Sequence, residues 1–546
     1  MWQKILLLFF VLAFLFRSDL SFDQDLGRHL KMGEIILQEG SIPKTNLFSF
    51  TNPEFKYVNT HWLFGVMAYW FSESFGLQAL LILKVLIILS AVWLIIRKIN
   101  NPLLLPIGFI FLHVLRERLE LRPEIFSFLF TALTLYILNL GRPRLLFLLP
   151  LIQLLWINTH IYFFVGLALQ AIFLLAHLQG VQIRVLILIL SIVFSLANPQ
   201  GLNGLLYPLK VSENYGYSIV ENQTMFLLES INFADRNFLF VKLSIGLAGL
   251  ILLISLLRKR FDLKNILLAS FGMALALLNV RSFPYLVFLT LPAIMQMSAS
   301  VRISKFISLG FAVLVLGESI FYLTGSYYKY TDSSYRPGLK LVESGKEAVD
   351  FTLDNDLPQP FYNNFDIGSY IIYRGFPVYK VFVDGRPEAY PKKFFQEVYI
   401  PSQSDYSKFK ALEQSLNLET VIFSHTDQTP WGRSFLQAIS RDDSYALAFV
   451  DDYMVIFVKK SVLEDKRLYE ITSEKIIPEA FRFDNHLSYI RIGMFLLNTG
   501  QTDNARKFIE KALEVFPDSP TANLLMSQIA PFNPQYQQKS KNLIFW

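Results

Sequence analysis

Long apolar stretches separated by short polar turns make up most of the chain before residue 325. Apolar runs lie near 4–16, 77–96, 103–115, 125–140, 145–157, 161–178, 185–197, 238–257, 266–280, 284–299 and 303–324. A bilayer-crossing helix needs roughly 20 mainly apolar residues, and this pattern predicts about 11 transmembrane helices. The first run begins after Lys4 and ends Phe-Arg-Ser-Asp, without the small-residue pattern of a cleavage site, so it reads as a membrane helix and not as a signal peptide.

Beyond residue 325 the pattern changes. Lys346 to Leu353 and Leu412 to Leu418 have helical spacing. Gln359–Phe361, Val378–Val383, Val421–Ser424 and Tyr453–Val458 read as short strands. Alternating helices and strands predict a small α/β domain. From about 486 the spacing is helical again. His486 to Asp518 resembles one tetratricopeptide repeat, with Gly493, Gly500, Ala505, Ala512 and Pro517 at the small-residue and closing positions. A single repeat cannot bury its own face, so it is expected to pack on the α/β domain or to dock a protein partner. The predicted fold class is a polytopic α-helical membrane protein with an external C-terminal α/β domain and a short helical tail. Its expected divisions are 1–325, with a long first external loop at 17–60, then 326–465 and 466–546.

Composition agrees with the hydropathy pattern. The chain is 53% hydrophobic and 17% charged, too apolar for one soluble domain of 546 residues. Its net charge is +6, and the basic residues cluster beside apolar runs, which suits membrane orientation and not nucleic-acid binding. With no cysteine, disulfides, zinc–thiolate sites and cysteine nucleophiles are excluded.

The basic clusters also set an orientation. With the N-terminus in the cytoplasm, the cytoplasmic turns carry Arg97 and Lys98; Arg142 and Arg144; Arg184; Arg258, Lys259, Arg260 and Lys264; Arg302 and Lys305. The opposite turns are mixed or acidic, including Asp19, Asp23, Asp25, Glu117, Glu120, Glu124, Glu221 and Glu229. Lys and Arg favour the cytoplasmic side of short loops, and every turn obeys that rule. An odd number of spans places the tail outside as well.

The external turns hold the candidate chemistry. After Asp23 and Asp25, the positions Leu26, Leu30, Gly33, Ile36 and Leu37 predict an amphipathic helix lying on the membrane surface. Asp25 would start it, one turn before His29, either as a plain N-cap or as a general base or metal ligand. His61 closes the loop beside Trp62, and an imidazole there suits a phosphate, a metal or a proton. The second external loop, Arg116 to Glu124, contains three Arg and three Glu. These charges either neutralise one another or present Arg118 and Arg122 to a phosphate, whose oxygens fit the guanidinium fork. If that loop is helical, the two arginines share a face, and Pro123 starts the next span. Asn158 and His160 of WINTH, and Arg281 after Asn279, close further external turns. In the tail, Asp384 and Arg386 of VDGRPE read first as a turn, with a reach toward the membrane site or a sugar as the alternative.

The layout then resembles the GT-C superfamily of membrane glycosyltransferases, which includes protein mannosyltransferases, lipid A aminoarabinose transferases and the catalytic subunit of oligosaccharyltransferase. The stretch FDQDLGRHLKMGEIILQEGSIPKTNLFSF is similar to the first loop of bacterial members, and RPEIFSF, WINTH and VFVDGRPEAY look like recurrent segments of bacterial relatives. The resemblance implies sugar transfer from a polyprenyl-phosphate donor to a glycan, lipid or protein acceptor, by inverting displacement on the external face of a bacterial inner membrane. It implies Asp25 or Asp23 as base and, more loosely, Arg118 or Arg122 on the donor phosphate; the external turns add His61 and Arg281 as further phosphate candidates, with His29, Glu120, Asn158 and His160 as supporting residues. Many relatives have adjacent acids, whereas Gln24 separates these two. Asp-x-Asp spacing is nearer the oligosaccharyltransferase type, which leaves a magnesium or manganese ion on Asp23 and Asp25 open. A lipid-linked glycan polymerase or ligase is the neighbouring enzymatic alternative, and a non-catalytic assembly protein acting through its external domain is the other.

Overall fold

A computed structural model describes residues 1–540 except 178, 232, 234, 260, 299–302 and 532. Arg260 and Arg302 of the basic clusters lie outside the described residues. Helices occupy each of the predicted apolar runs: Trp2–Leu15, Ala79–Ile96, Leu104–His113, Glu124–Leu140, Leu148–Thr159, Phe164–Ala176, Val181–Ser195, Asn237–Leu257, Leu263–Leu278, Leu291–Met297 and Lys305–Leu323. Of the described helices, Ala79–Ile96, Asn237–Leu257 and Lys305–Leu323 are long and apolar enough to cross a membrane on their own measure. Their exposed Leu, Ile, Val and Phe side chains, such as Leu250, Leu253, Leu309 and Val313, form the apolar outer surface.

The loop helix Gly27–Glu39 corrects the surface-helix expectation. It buries His29, Leu30, Met32, Gly33 and Ile36 between helix Trp62–Phe75 and helix Gly368–Gly375 of the tail. Its glycines permit this: a Cβ on Gly33 would lie 2.1 Å from the Gly65 carbonyl oxygen, and one on Gly27 would lie 2.8 Å from that of Ser369. Protein covers that apolar face, apart from Leu37, which stays exposed.

The tail contains a four-stranded sheet in the order β1-β2-β4-β3, with β1 Phe361–Asn363, β2 Thr420–Ser424, β3 Tyr445–Val450 and β4 Met454–Lys459. β1 runs parallel to β2, and the other pairings are antiparallel. Alternate side chains face opposite sides. Ile422, Ile456 and Val458 join a core that begins at Leu7 and Phe10 and continues through Leu112, Trp156, Leu289, Leu341 and Ile372. Val421, Phe423, Val455 and Phe457 join a second core with Phe409, Phe435, Phe495 and Phe508. Val378–Val383, expected as a strand, is not one. It is an extended segment whose Val381 exchanges backbone hydrogen bonds with Phe48 and Phe50 of the first loop. Further bonds join Ser18 to Arg336 and Asp19 to Lys340 and Val342, so loop and tail form one interlocked layer.

The last helices include a hairpin, His486–Asn498 and Thr502–Val515, whose close approach places Gly493 against Ile509 and Ala505. The hairpin packs on the sheet domain through Phe495 on His425, and Asp452 pairs with Arg491 and accepts from Ser488. Helix Pro520–Ile529 follows it.

Candidate active site

Asp23 and Asp25 lie in one tight helical turn, Phe22–Leu26, that bends the chain out of the first helix. They face different ways. The Asp23 carboxylate accepts the Ser344 N–H at 2.9 Å and the Gly345 N–H at 3.1 Å, at the start of helix Lys346–Asp354 in the tail. Burial pushes its carboxyl up to about 6 against those two bonds. Asp23 thus ties the loop to the tail and stays out of the charged cluster described next.

Asp25 belongs to that cluster. Its Oδ1 meets Arg28 at 2.6 Å, and its Oδ2 lies 3.2 Å from the Nε of Arg122. Burial alone would raise this carboxyl, but Arg122 and Arg28 overcome it and hold it below the ordinary range. Asp25 caps no helix: the Gly27–Glu39 helix has no side-chain cap. Nor does it pair with His29, because Arg28 occupies that position.

The second external loop delivers the other charges. Arg116–Arg118 forms a single 3-10 turn and the next residues are not helical, so Arg118 and Arg122 do not share a helix face. They converge nonetheless. Arg118 lies 2.9 Å, and Arg122 2.7 Å, from Oε1 of Glu221, while Arg281 lies 2.9 Å from its Oε2. Arg118 also meets Glu124 at 3.3 Å, and Arg122 meets Glu120 at 3.0 Å. Glu120 in turn accepts the Tyr335 hydroxyl at 2.7 Å. Burial opposes ionisation of Glu221, but Arg118, Arg122 and Arg281 hold its carboxyl well below the usual range.

The pairing does not satisfy the cations. The buried Nε–H groups of Arg28, Arg118, Arg122 and Arg281 have no hydrogen-bond acceptor among the described residues, although an Asp25 oxygen lies 3.2 Å from that of Arg122. A buried N–H without a partner is costly, and these four belong to one cluster.

Beside the cluster stand three imidazoles. The His29 and His61 rings are 5.6 Å apart, and those of His61 and His160 5.5 Å apart. Burial, reinforced by nearby arginines, lowers all three, His61 to about 3 and the others well below the ordinary value, so they are neutral donors and acceptors. The Nδ1 of His160 bonds Ser127 at 2.7 Å. Asn158 supports the Trp62 indole, accepting its N–H at 2.8 Å, so Trp62 is held by protein and is not a free interfacial anchor.

The tail completes the site. Asp384 and Arg386 of VDGRPE are buried and tied to each other at 2.6 Å, with Tyr390, Tyr57 and Asn46 filling their remaining positions, so neither is free for a ligand. Gly385 stands against the Gln24 carbonyl, where a Cβ would come within 2.9 Å. Glu388 differs from its neighbours. It lines a small pocket with Arg28, His29, Tyr57, His61 and Arg386, and it forms no ion pair and no hydrogen bond to another residue among those described. Burial raises its carboxyl, partly offset by Arg28.

Sequence reasoning gathered Asp25, Arg118, Arg122, Arg281, His29, Glu120, His61 and His160 on one face. It missed Glu221 and Glu388 as parts of the site. Glu221 appeared there only as one of several loop acids, and Glu388 ends a motif read as a turn. The acids do not fit the divalent cation left open for them. Asp23 is bound to backbone N–H groups, Asp25 is bound to arginine, and no grouping of three or more carboxylates and histidines able to hold a metal occurs among the described residues.

This architecture is similar, at low sequence identity, to that of solved oligosaccharyltransferase structures. The oligosaccharyltransferase AglB of the archaeon Archaeoglobus fulgidus, in complex with an inhibitory peptide and a dolichol-phosphate, superposes over 82% of this chain and 72% of its own at 12% identity, with a TM-score of 0.54. An Archaeoglobus fulgidus oligosaccharyltransferase tethered to an acceptor peptide matches at 11% identity with a TM-score of 0.53, over 82% of this chain and 72% of that one. Its apo form gives 0.51 at 12% identity, over 80% and 71%. No protein-family profile and no curated protein matches the sequence.

Proposed function

We propose that the protein is a membrane glycosyltransferase that takes a sugar from a polyprenyl-phosphate donor and transfers it to a hydroxyl- or amide-bearing acceptor on the external face of a bacterial inner membrane. The observation that carries this reading is the set of four arginines with unmet buried N–H donors, gathered at one end of the apolar helices. Phosphate supplies several acceptor oxygens and a charge that guanidinium matches bidentately. The phosphate of the departing lipid gains charge as the sugar leaves, and fixed cations stabilise that charge. Glu221 occupies the same guanidinium groups, so it must yield its place when phosphate arrives.

In this reading the proton acceptor is Glu388. A general base needs a free lone pair and a pKa raised toward the working pH. Asp25 is ion-paired with Arg28 and Arg122, which lower its pKa, so it orients the arginines. The acceptor oxygen, or the nitrogen of an amide acceptor, bonds to the anomeric carbon and its proton passes to the Glu388 carboxylate. The bond from that carbon to the phosphate oxygen breaks, and its electron pair stays on the phosphate. Attack opposite to the leaving group inverts the sugar. The apolar helices, divided at about residue 325 from the external domain (326–465) and helical tail (466–546), are read as about 11 spans. The acidic ends face out and the basic ends face the cytoplasm.

The test is transfer by purified protein in detergent from a synthetic polyprenyl-phosphate sugar, alongside binding of the bare polyprenyl phosphate. The expected result is saturable binding that Arg122→Gln and Arg281→Gln each weaken. Binding that is indifferent to both replacements would remove the phosphate cradle and the assignment with it.

A further inference from the structure

Helix Glu124–Leu140 links the arginine cluster to a second polar site. Glu124 touches Arg118, while Tyr136 and Asn139 line a cavity of about 510 Å³. From Glu124 to Asn139 the helix rises about 22 Å. The cavity therefore lies toward the other end of the bundle, where helices Ala79–Ile96 and Glu124–Leu140 finish and helix Leu263–Leu278 begins.

Its walls are of two kinds. Leu94, Ile95, Leu268 and Pro292 supply an apolar floor, and Lys98, Lys264, Asn139 and Gln296 supply the polar part. Among the described residues, no carboxylate lines it. The Lys264 ammonium donates to Asn139 Oδ1 at 3.2 Å and to Gln296 Oε1 at 3.1 Å, both neutral amides. Asp262 acts on Lys264 through space, but its two oxygens accept the backbone N–H and the amide of Asn265. Lys98 sits 5.2 Å over the Tyr136 ring, and Arg97 sits 4.9 Å over the same ring. The cavity is thus a cationic recess with an apolar floor and no anion among its described residues.

We propose that this recess binds the phosphate headgroup of an anionic membrane lipid, with Lys98 and Lys264 on the phosphate and the first part of an acyl chain along Leu94, Ile95 and Leu268. Ammonium groups that have only neutral partners gain most from an anion. Basic recesses between membrane helices on the Lys- and Arg-rich side suit such headgroups. The volume falls in the range of ligand pockets, and an apolar floor beside the charges favours an amphiphile over a free ion.

The full chain in detergent, examined by native mass spectrometry with added dioleoyl phosphatidylglycerol, dioleoyl phosphatidylcholine or inorganic phosphate, decides the matter without any glycosyl-transfer readout. Wild type is expected to retain phosphatidylglycerol in preference to phosphatidylcholine. K98Q/K264Q should bind it about tenfold more weakly or worse. Lys98 is exposed, so K98Q alone keeps the fold and is expected to show a smaller loss in the same direction. R122Q, at the opposite end, should bind the lipid as wild type does. Equal retention by the double variant overturns the proposal. So does equal retention of the two lipids, which would mean that the apolar floor alone binds. Displacement of the lipid by inorganic phosphate at comparable concentration would make the recess a soluble-anion site and overturn the lipid assignment. If polyprenyl phosphate failed to bind at the arginine cluster, the proposed function would fall and this recess would be unaffected.

Discussion

Each arginine of the cluster carries a donor that no acceptor among the described residues meets, and that sets what replacing one should do. A hydrogen bond to a charged group contributes about 1.5–3 kcal/mol, so Arg122→Gln or Arg281→Gln should weaken polyprenyl-phosphate binding by roughly 10- to 100-fold, measured by titration in detergent. Glu388→Gln should leave that binding intact while abolishing transfer, and Glu388→Asp should restore part of it. The pH profile gives a separate check. Burial raises the Glu388 carboxyl, and a base works only when deprotonated, so transfer should fall on acidification at a higher pH than an ordinary glutamate would impose. Asp25, held below its usual range, should stay ionised across that window. An acid limb unchanged in Glu388→Asp would exclude Glu388 as its source. The residue types were legible in the sequence because charge beside an apolar run stands out. Their pairings were not. Glu221 lies about 100 residues beyond Arg118 in the chain, and nothing local marks the contact.

At the level of elements, periodicity found the helices and misjudged what covers them. Gly27–Glu39 showed an apolar face, and only the tail's Gly368–Gly375 helix and the glycine crossing with Trp62–Phe75 reveal that protein buries it. Gly33→Leu should therefore prevent that crossing and lower the thermal midpoint. Overpacking of this kind costs about 1–3 kcal/mol, and more where the obstacle is backbone, as it is here. Val378–Val383 has strand-like composition, but its backbone groups pair with Phe48 and Phe50, a partner distant in sequence. Tyr445–Val450 was overlooked although it is a strand. The 3-10 turn Val220–Asn222 carries the most consequential prediction at this scale. Removing the Glu221 charge leaves three arginines without their shared anion, so Glu221→Gln should lower thermal stability by a few kcal/mol in the absence of ligand. The same change removes the competitor for phosphate, so polyprenyl phosphate should bind more tightly and raise the midpoint by more than it does in wild type. Lower stability without tighter binding would mean that Glu221 is a structural partner and not an occupant of the phosphate position.

For the whole molecule, hydropathy drew a boundary near residue 325 that the packing does not follow. Asp23 reaches across it to Ser344 and Gly345, Asp19 to Lys340 and Val342, Phe50 to Val381, and Arg386 back to Asn46 and Tyr57. Sequence hydropathy reports what lipid would accept, but it carries no information on which polar backbone groups of a loop will be met by a domain several hundred residues later. The arginines all precede residue 325, yet Asp25 is positioned by a turn whose other acid is bound by the tail and whose Gln24 carbonyl abuts Gly385. A chain ending at 325 keeps every cationic group of the cluster and loses that scaffold. Affinity depends on preorganised geometry as much as on charge, so the truncated chain should bind polyprenyl phosphate about tenfold more weakly or worse than the full chain in the same titration. Adding the separately expressed tail should not restore binding unless the two associate. Undiminished binding by the truncated chain would show that the membrane helices build the phosphate cradle unaided. The tail's role would then narrow to what only it supplies, the Glu388 carboxylate and the wall on which an acceptor would rest.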